Sequence, residues 1–138
     1  MLYLDTSLLV AAFTDEPGSA RVDSLLRKPD ECMISEWVIA EFSAALSIKV
    51  RTGQISDAHR DHALVLFSRM TAESLGLLPV QSHHFRRAAQ LSDQYRPGLR
   101  AGDALHLAVA GDKGVTLCTF DRRQARAGKA LGIATRVI

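Results

Sequence analysis

A chain of 138 residues with 47% hydrophobic residues carries enough apolar side chain for one packed core and too much for disorder. Its net charge is a modest +2, and no apolar run nears the roughly 20 residues that span a bilayer, so no membrane-spanning helix is expected. The opening Met1-Leu2-Tyr3-Leu4-Asp5 lacks a basic leader followed by a long apolar stretch. No export signal is therefore expected, and the cytoplasm is the expected compartment.

In chain order, residues 2–4 read as a strand and 6–13 as a helix that Thr6 or Ser7 can cap. Glu16-Pro17-Gly18-Ser19 breaks that helix, a second one runs to about Arg27, and Lys28-Pro29-Asp30 signals a turn. Residues 32–34 read as a short strand, and Ser35 caps a long helix ending near Thr52-Gly53. Ser56-Asp57 opens another helix reaching roughly Glu73, and residues 76–80 are strand-like. Helices follow near 82–95 and 102–111, separated by Arg96-Pro97-Gly98. Residues 115–119 form a strand, 121–131 a helix and 133–137 a last strand. This alternation predicts an α/β fold: one domain over 1–138, with a central, mostly parallel sheet of about five strands flanked by helices.

Charge divides unevenly along the chain. Residues 1–82 hold 7 Lys/Arg against 11 Asp/Glu, and residues 83–138 hold 10 against 4. The basic half is rich in arginine, whose planar fork suits phosphate oxygens. A basic surface beside an acidic site fits a polyanionic substrate; the plainer reading is a solvated surface with no ligand. The two cysteines, Cys32 and Cys118, show neither a CxxC nor a metal-ligand spacing and read as reduced core thiols.

Four acids stand where acids are costly. Asp5 ends the apolar run Leu2-Tyr3-Leu4, and Asp121 ends Val115-Thr116-Leu117-Cys118-Thr119-Phe120. Glu41 shares a helical stripe with Trp37, Ala44, Ala45 and Ile48, so it interrupts an apolar face. Asp103 lines one helix face with Leu107 and Ala110. Each has a plain alternative: Asp5, Asp103 and Asp121 can all serve as helix-start acids. Glu36, in a first turn, reads as a helix-start residue alone. In open α/β sheets, however, ligands gather beyond the carboxyl ends of the strands, where Asp5 and Asp121 fall.

Two like charges about 4 Å apart cost roughly 4 kcal/mol at an effective dielectric of 20. Clustered carboxylates therefore repel, take up protons or bind a cation. An all-oxygen set suits Mg²⁺ or Mn²⁺, which can activate water for attack on a phosphodiester. The hydroxyls of Thr6 and Thr119 stand beside these acids as candidates to support them from the second layer; Ser7 reads as a capping residue. His106, three residues after Asp103, reads as a hydrogen-bonded, partly buried histidine in preference to a general base. His59, His62, His83 and His84 read as surface residues. The chain has no Gly-x-Ser-x-Gly, P-loop or GxGxxG motif.

Leu4-Asp5-Thr6-Ser7, Ala40-Glu41-Phe42, Asp103-Ala104-Leu105-His106-Leu107-Ala108 and Thr119-Phe120-Asp121 resemble, in order and spacing, the four acidic motifs of PIN-domain nucleases. The short chain further resembles the VapC toxins of bacterial toxin–antitoxin pairs. The resemblance implies an endoribonuclease using Mg²⁺ or Mn²⁺, usually a homodimer, held inactive by a small VapB antitoxin that also binds DNA. By motif position it implies Asp5, Glu41, Asp103 and Asp121 as the catalytic acids. Asp5 and Asp103 would be the main metal ligands, with Asp121 direct or through water, and Glu41 would bind metal water or orient the attacking water. Arg100, Arg122 and Arg123 flank two motifs and are the candidates for RNA phosphate contact. Other readings are a nuclease of the same fold acting on DNA or in processing without an antitoxin, and a catalytically silent nucleic-acid-binding domain. A phosphorylated receiver domain fits poorly, because only one acid follows the first strand and the chain has four lysines.

Overall fold

Short apolar runs bounded by helix-start residues become strands, and the longer periodic stretches become helices. The computed structural model describes residues 1–27, 31–94, 96 and 98–138. The turn expected at Lys28-Pro29-Asp30 lies outside the described residues, as do Pro97 and the end of the helix expected to reach residue 95. The elements are β1 (Leu2–Leu4), α1 (Thr6–Thr14), α2 (Ser19–Leu26), β2 (Cys32–Ser35), α3 (Glu36–Arg51) and α4 (Asp57–Glu73), followed by β3 (Gly76–Leu78), α5 (Ser82–Asp93), α6 (Ala101–Lys113), β4 (Thr116–Thr119), α7 (Arg122–Ala130) and β5 (Thr135–Val137).

The five strands form one sheet in the order β3-β2-β1-β4-β5, and every pairing is parallel. β1 is therefore central, and Leu2, Tyr3 and Leu4 are all buried, as expected for a strand covered on both faces. Leu4 pairs with Cys118, and the Asp5 main-chain N–H continues the ladder to the Cys118 carbonyl at 3.0 Å. The ends of β1 and β4 thus lie side by side. The core gathers Leu8, Leu9, Val38, Phe42, Leu46, Leu107 and Leu117 around the sheet, together with the buried side chains of Cys32 and Cys118.

Several local expectations change. β3 stops at Leu78 because Pro79 has no N–H to give the ladder, and the Val80 N–H goes instead to Glu36 Oε2 at 3.1 Å. Glu36 therefore anchors the chain after β3 as well as starting α3. β5 begins only at Thr135, since the Ile133 N–H closes the end of α7 on the Gly128 carbonyl. Neither Thr6 nor Ser7 caps α1; Asp5 holds the N-cap position and the Ser7 hydroxyl turns back to its carboxylate at 2.7 Å. Ser35 stands at the N-cap of α3, yet its hydroxyl is committed to the Tyr3 phenol at 2.6 Å.

Candidate active site

The expected apolar face of α3 is not its core face. Val38, Phe42 and Leu46 are the buried residues of the helix. The stripe containing Glu41, Ala44, Ala45 and Ile48 instead lines a cleft of about 300 Å³, together with Asp5, Thr6, Asp103 and His106. Glu41 is half-buried at the wall of this cleft and does not interrupt the core. α6 approaches from the other side, with Asp103 in its half-buried first turn and residues 104–110 buried.

The carboxylates are held by short bonds from named donors. Asp5 is 7% exposed, and its Oδ2 accepts from the hydroxyls of Ser7 at 2.7 Å and Thr119 at 2.8 Å. Glu41 Oε2 accepts from the Thr6 hydroxyl at 2.5 Å and lies 2.6 Å from His106 Nε2. The same imidazole nitrogen is 3.2 Å from Asp5 Oδ1, so one histidine bridges two acids of different elements. The other ring nitrogen, Nδ1, is 2.9 Å from the Tyr3 hydroxyl, which continues to Ser35. His106, Tyr3 and Ser35 are all buried, and this chain sets the ring from beneath.

The protonation equilibria follow from that geometry. Burial opposes the charged form of His106, but the Glu41 hydrogen bond and the charges of Asp5, Glu41 and Asp103 outweigh it and raise its pKa above 6.5. Burial likewise opposes Glu41 ionisation, and the His106 hydrogen bond and charge, with Thr6 and the Trp37 indole, override it and lower the carboxyl below its usual range. Asp103 goes the other way. Burial, then the neighbouring charges of Asp121 and Asp5, push its carboxyl up against a main-chain hydrogen bond from Arg100. Asp103 therefore feels the charges of both Asp121 and Asp5. The Tyr3 phenol is pushed far up by burial and stays neutral.

Asp121 does two things. Its Oδ1 caps α7, accepting from the main-chain N–H groups of Arg123 at 2.7 Å and Gln124 at 3.2 Å, and its charge reaches Asp103. Thr119 joins it to Asp5: the Thr119 oxygen accepts from the Asp121 N–H at 2.9 Å while its proton goes to Asp5. The arginines separate. Arg100 is exposed at the N-cap of α6, three residues before Asp103. Arg122 lines a second cleft with Thr6 and Ser7, whereas Arg123 lines a third with Arg96 and Arg126.

The donor set fits a hard divalent cation. Asp5, Glu41 and His106 bring potential ligand atoms within 4.8 Å of one another, and Asp103, its carboxyl raised by burial and then by Asp121 and Asp5, lines the same cleft. Gly102 leaves the space open: a Cβ there would stand 2.9 Å from Glu41 Oε1. His106 is the hydrogen-bonded histidine expected from the sequence, buried more deeply than expected, and its partners Glu41, Asp5 and Tyr3 are what the sequence did not name.

A second group of potential ligands among the described residues is His83, His84 and Asp112. Contrary to the surface expectation, His84 is buried, and His59 is half-buried with Nε2 3.0 Å from the Phe13 carbonyl. His84 Nδ1 accepts the Gln81 N–H at 3.0 Å in a capping box, so Nε2 keeps its proton and donates to Asp112 at 3.3 Å. No lone pair therefore remains on the His84 ring for a metal. This trio is a helix clamp between α5 and α6.

Comparison with known proteins agrees with this frame. The PIN domain family matches residues 2–130. Ribonuclease VapC46 of Mycobacterium tuberculosis (strain ATCC 25618 / H37Rv) is 33% identical over 140 residues, which cover 96% of this chain and 94% of that protein. The crystal structure of M. tuberculosis VapC20, a sarcin-ricin loop cleaving toxin, superposes with a TM-score of 0.73 at 18% identity, covering 97% of each chain. VapBC2 from Rickettsia felis, bound to a DNA fragment from its promoter, superposes with a TM-score of 0.71 at 20% identity, covering 100% of this chain and 99% of that one. These last two likenesses concern the fold. With its matched length, its parallel five-stranded sheet and its acids at the ends of β1 and β4, the chain belongs to the PIN-domain family.

Proposed function

We propose that the protein is a metal-dependent endoribonuclease, the toxin of a VapBC-type toxin–antitoxin pair. The observation that carries this reading is that Asp5, Glu41 and Asp103 line one cleft, with the Asp103 carboxyl raised by burial and then by the charges of Asp121 and Asp5. Asp5 and Asp103 would hold Mg²⁺ or Mn²⁺, with Asp121 direct or through water. Such an ion, when bound, supplies an activated water and offsets charge on the phosphodiester.

The chain's own groups do the rest. His106 and Thr6 occupy Glu41 Oε2, which leaves Oε1, facing Gly102, to orient the attacking water. Ser7 and Thr119 fix the Asp5 rotamer. Attack of water on phosphorus breaks the P–O3′ bond, leaving a 5′ phosphate and a 3′ hydroxyl. Arg100, Arg122 and Arg123 supply backbone contacts on the basic side.

The partners in this reading are RNA, a VapB-like antitoxin and a second copy of the chain, and the compartment is the cytoplasm. Ribonuclease VapC46 supports the substrate, and the R. felis VapBC2 complex supports the partner. Among the described residues no helix is long and apolar enough to cross a membrane.

Purified protein incubated with RNA and Mg²⁺ or Mn²⁺ tests the proposal. Cleavage is expected with metal, none with excess EDTA, and none in folded Asp5→Asn. Equal cleavage in EDTA, or full activity of Asp5→Asn, refutes it.

A further inference from the structure

Beside the acidic cleft lies a second one of about 570 Å³, and the two share the wall residues Thr6 and Ala45. On the acidic side Thr6 bonds Glu41; next to it, Ser7 bonds Asp5 and accepts the Phe120 N–H at 3.3 Å. The second cleft is therefore one residue's width from the acids. Its charge is opposite. Arg21 and Arg122 line it, and its acid, Glu16, is neutralised by an ion pair with Lys49.

Two of its residues form a prepared platform. The Arg21 guanidinium stands over the Phe120 ring, 5.0 Å from the centroid, and is tied down by a 2.9 Å bond to the Ile138 main-chain oxygen. Gly18, at φ +110°, lets the start of α2 close on this pair. A Cβ there would stand 2.7 Å from Phe120 Cζ and 3.2 Å from Arg21 Nη2. An aromatic ring and a guanidinium plane are what an unstacked base packs against, and a second guanidinium beside them, that of Arg122, suits the phosphate that follows.

We propose that this cleft is the subsite for a nucleotide flanking the scissile bond of single-stranded RNA, with one base packed on Phe120 and Arg21 and the adjoining phosphate held by Arg122. The proposal rests on the ribonuclease reading above. It assigns to substrate positioning Arg21 and the ring of Phe120, whose main-chain N–H already joins the Ser7 hydroxyl beside Asp5. It also separates Arg122 from Arg123, since only Arg122 reaches this cleft.

The test uses a single-stranded RNA that the wild-type protein cleaves. Binding is measured in an Asp5→Asn background so that the RNA stays whole, with Phe120→Leu, Arg21→Met and Arg122→Met added singly. Phe120→Leu keeps the apolar packing, and thermal melts verify folding. Phe120→Leu is expected to weaken binding roughly 5- to 100-fold, the range for losing one base–aromatic stack. An abasic residue at one RNA position should cost a similar factor, and the two losses should not add. Arg122→Met should lower the slope of log affinity against log salt by about 0.7, as for one phosphate contact on a single strand. In the active protein, all three should raise KM with little change in kcat, while Arg69→Gln on α4 should do neither.

Unchanged binding in Phe120→Leu and Arg21→Met, or abasic losses that add fully to Phe120→Leu at every position, overturns the subsite while the wild type still cleaves. A wild-type protein that neither binds nor cuts RNA overturns the ribonuclease reading and the subsite together.

Discussion

Thr119, at the end of β4, donates its hydroxyl to Asp5, at the end of β1, across 2.8 Å and 114 positions of sequence. The same oxygen accepts the Asp121 N–H, so one small side chain positions two acids. Thr119→Val keeps the shape and removes both bonds. RNA cleavage should fall by about 10- to 100-fold, the usual effect of losing a group that orients a metal-binding carboxylate. The cost in stability should be about 1–3 kcal/mol, because buried partners lose their bonds; urea unfolding measures it.

Gly102→Ala should uncouple activity from stability. Alanine is favoured over glycine inside a helix by about 1 kcal/mol, which favours α6. Its Cβ, however, would stand 2.9 Å from Glu41 Oε1, so the carboxylate must move aside. We expect a melting temperature equal to or above wild type, with cleavage reduced about tenfold or more, consistent with the sensitivity of catalysis to small misplacements. A destabilised but fully active variant would contradict the site geometry.

Asp103→Asn should stabilise the metal-free protein while abolishing cleavage. The Asp103 carboxyl is raised by burial and by Asp121 and Asp5, so ionising it costs more in the folded state than in the unfolded chain. That cost is absent below the unfolded value of 3.8 and is a full penalty once pH has risen through the folded value. Asparagine removes the penalty. In EDTA at neutral pH the melting temperature should rise by roughly 1–4 °C, and the gain should vanish below the unfolded pKa. Added Mg²⁺ should stabilise wild type more than Asp103→Asn.

His106 should titrate above 6.5 in metal-free protein, because the Glu41 bond and the Asp5 charge outweigh its burial. A raised histidine pKa adds stability that is complete below 6.5 and lost as pH rises through the folded value. Glu41→Gln should lower the His106 pKa and flatten that part of the stability profile. Imidazole nitrogen NMR across the titration checks both.

Much of this fold was legible because its signals are local. Strand-ending acids, Ser56 as a cap, and the alternation of short apolar runs with helical periods all act within a few residues; the Ser56 hydroxyl does accept the His59 N–H. Element ends were less legible where a partner distant in sequence decides them, as Glu36 does after Pro79. The face of α3 was misread for the same reason. Trp37, Glu41, Ala44 and Ile48 form a stripe that looks like core, yet a shorter set, Val38, Phe42 and Leu46, meets the sheet. The bridge made by His106 was illegible because it depends on Tyr3 and Ser35, from two other strands, holding the ring from below.

The strand order has a consequence for the timing of synthesis. β1 leaves the ribosome early, but its neighbour β4 follows more than a hundred residues later. Until Thr119 and Asp121 emerge, Asp5 has no adjoining strand on that side and Asp103 lacks one of its charged neighbours. The acidic cleft can therefore take its final form only after the ribosome has passed residue 121.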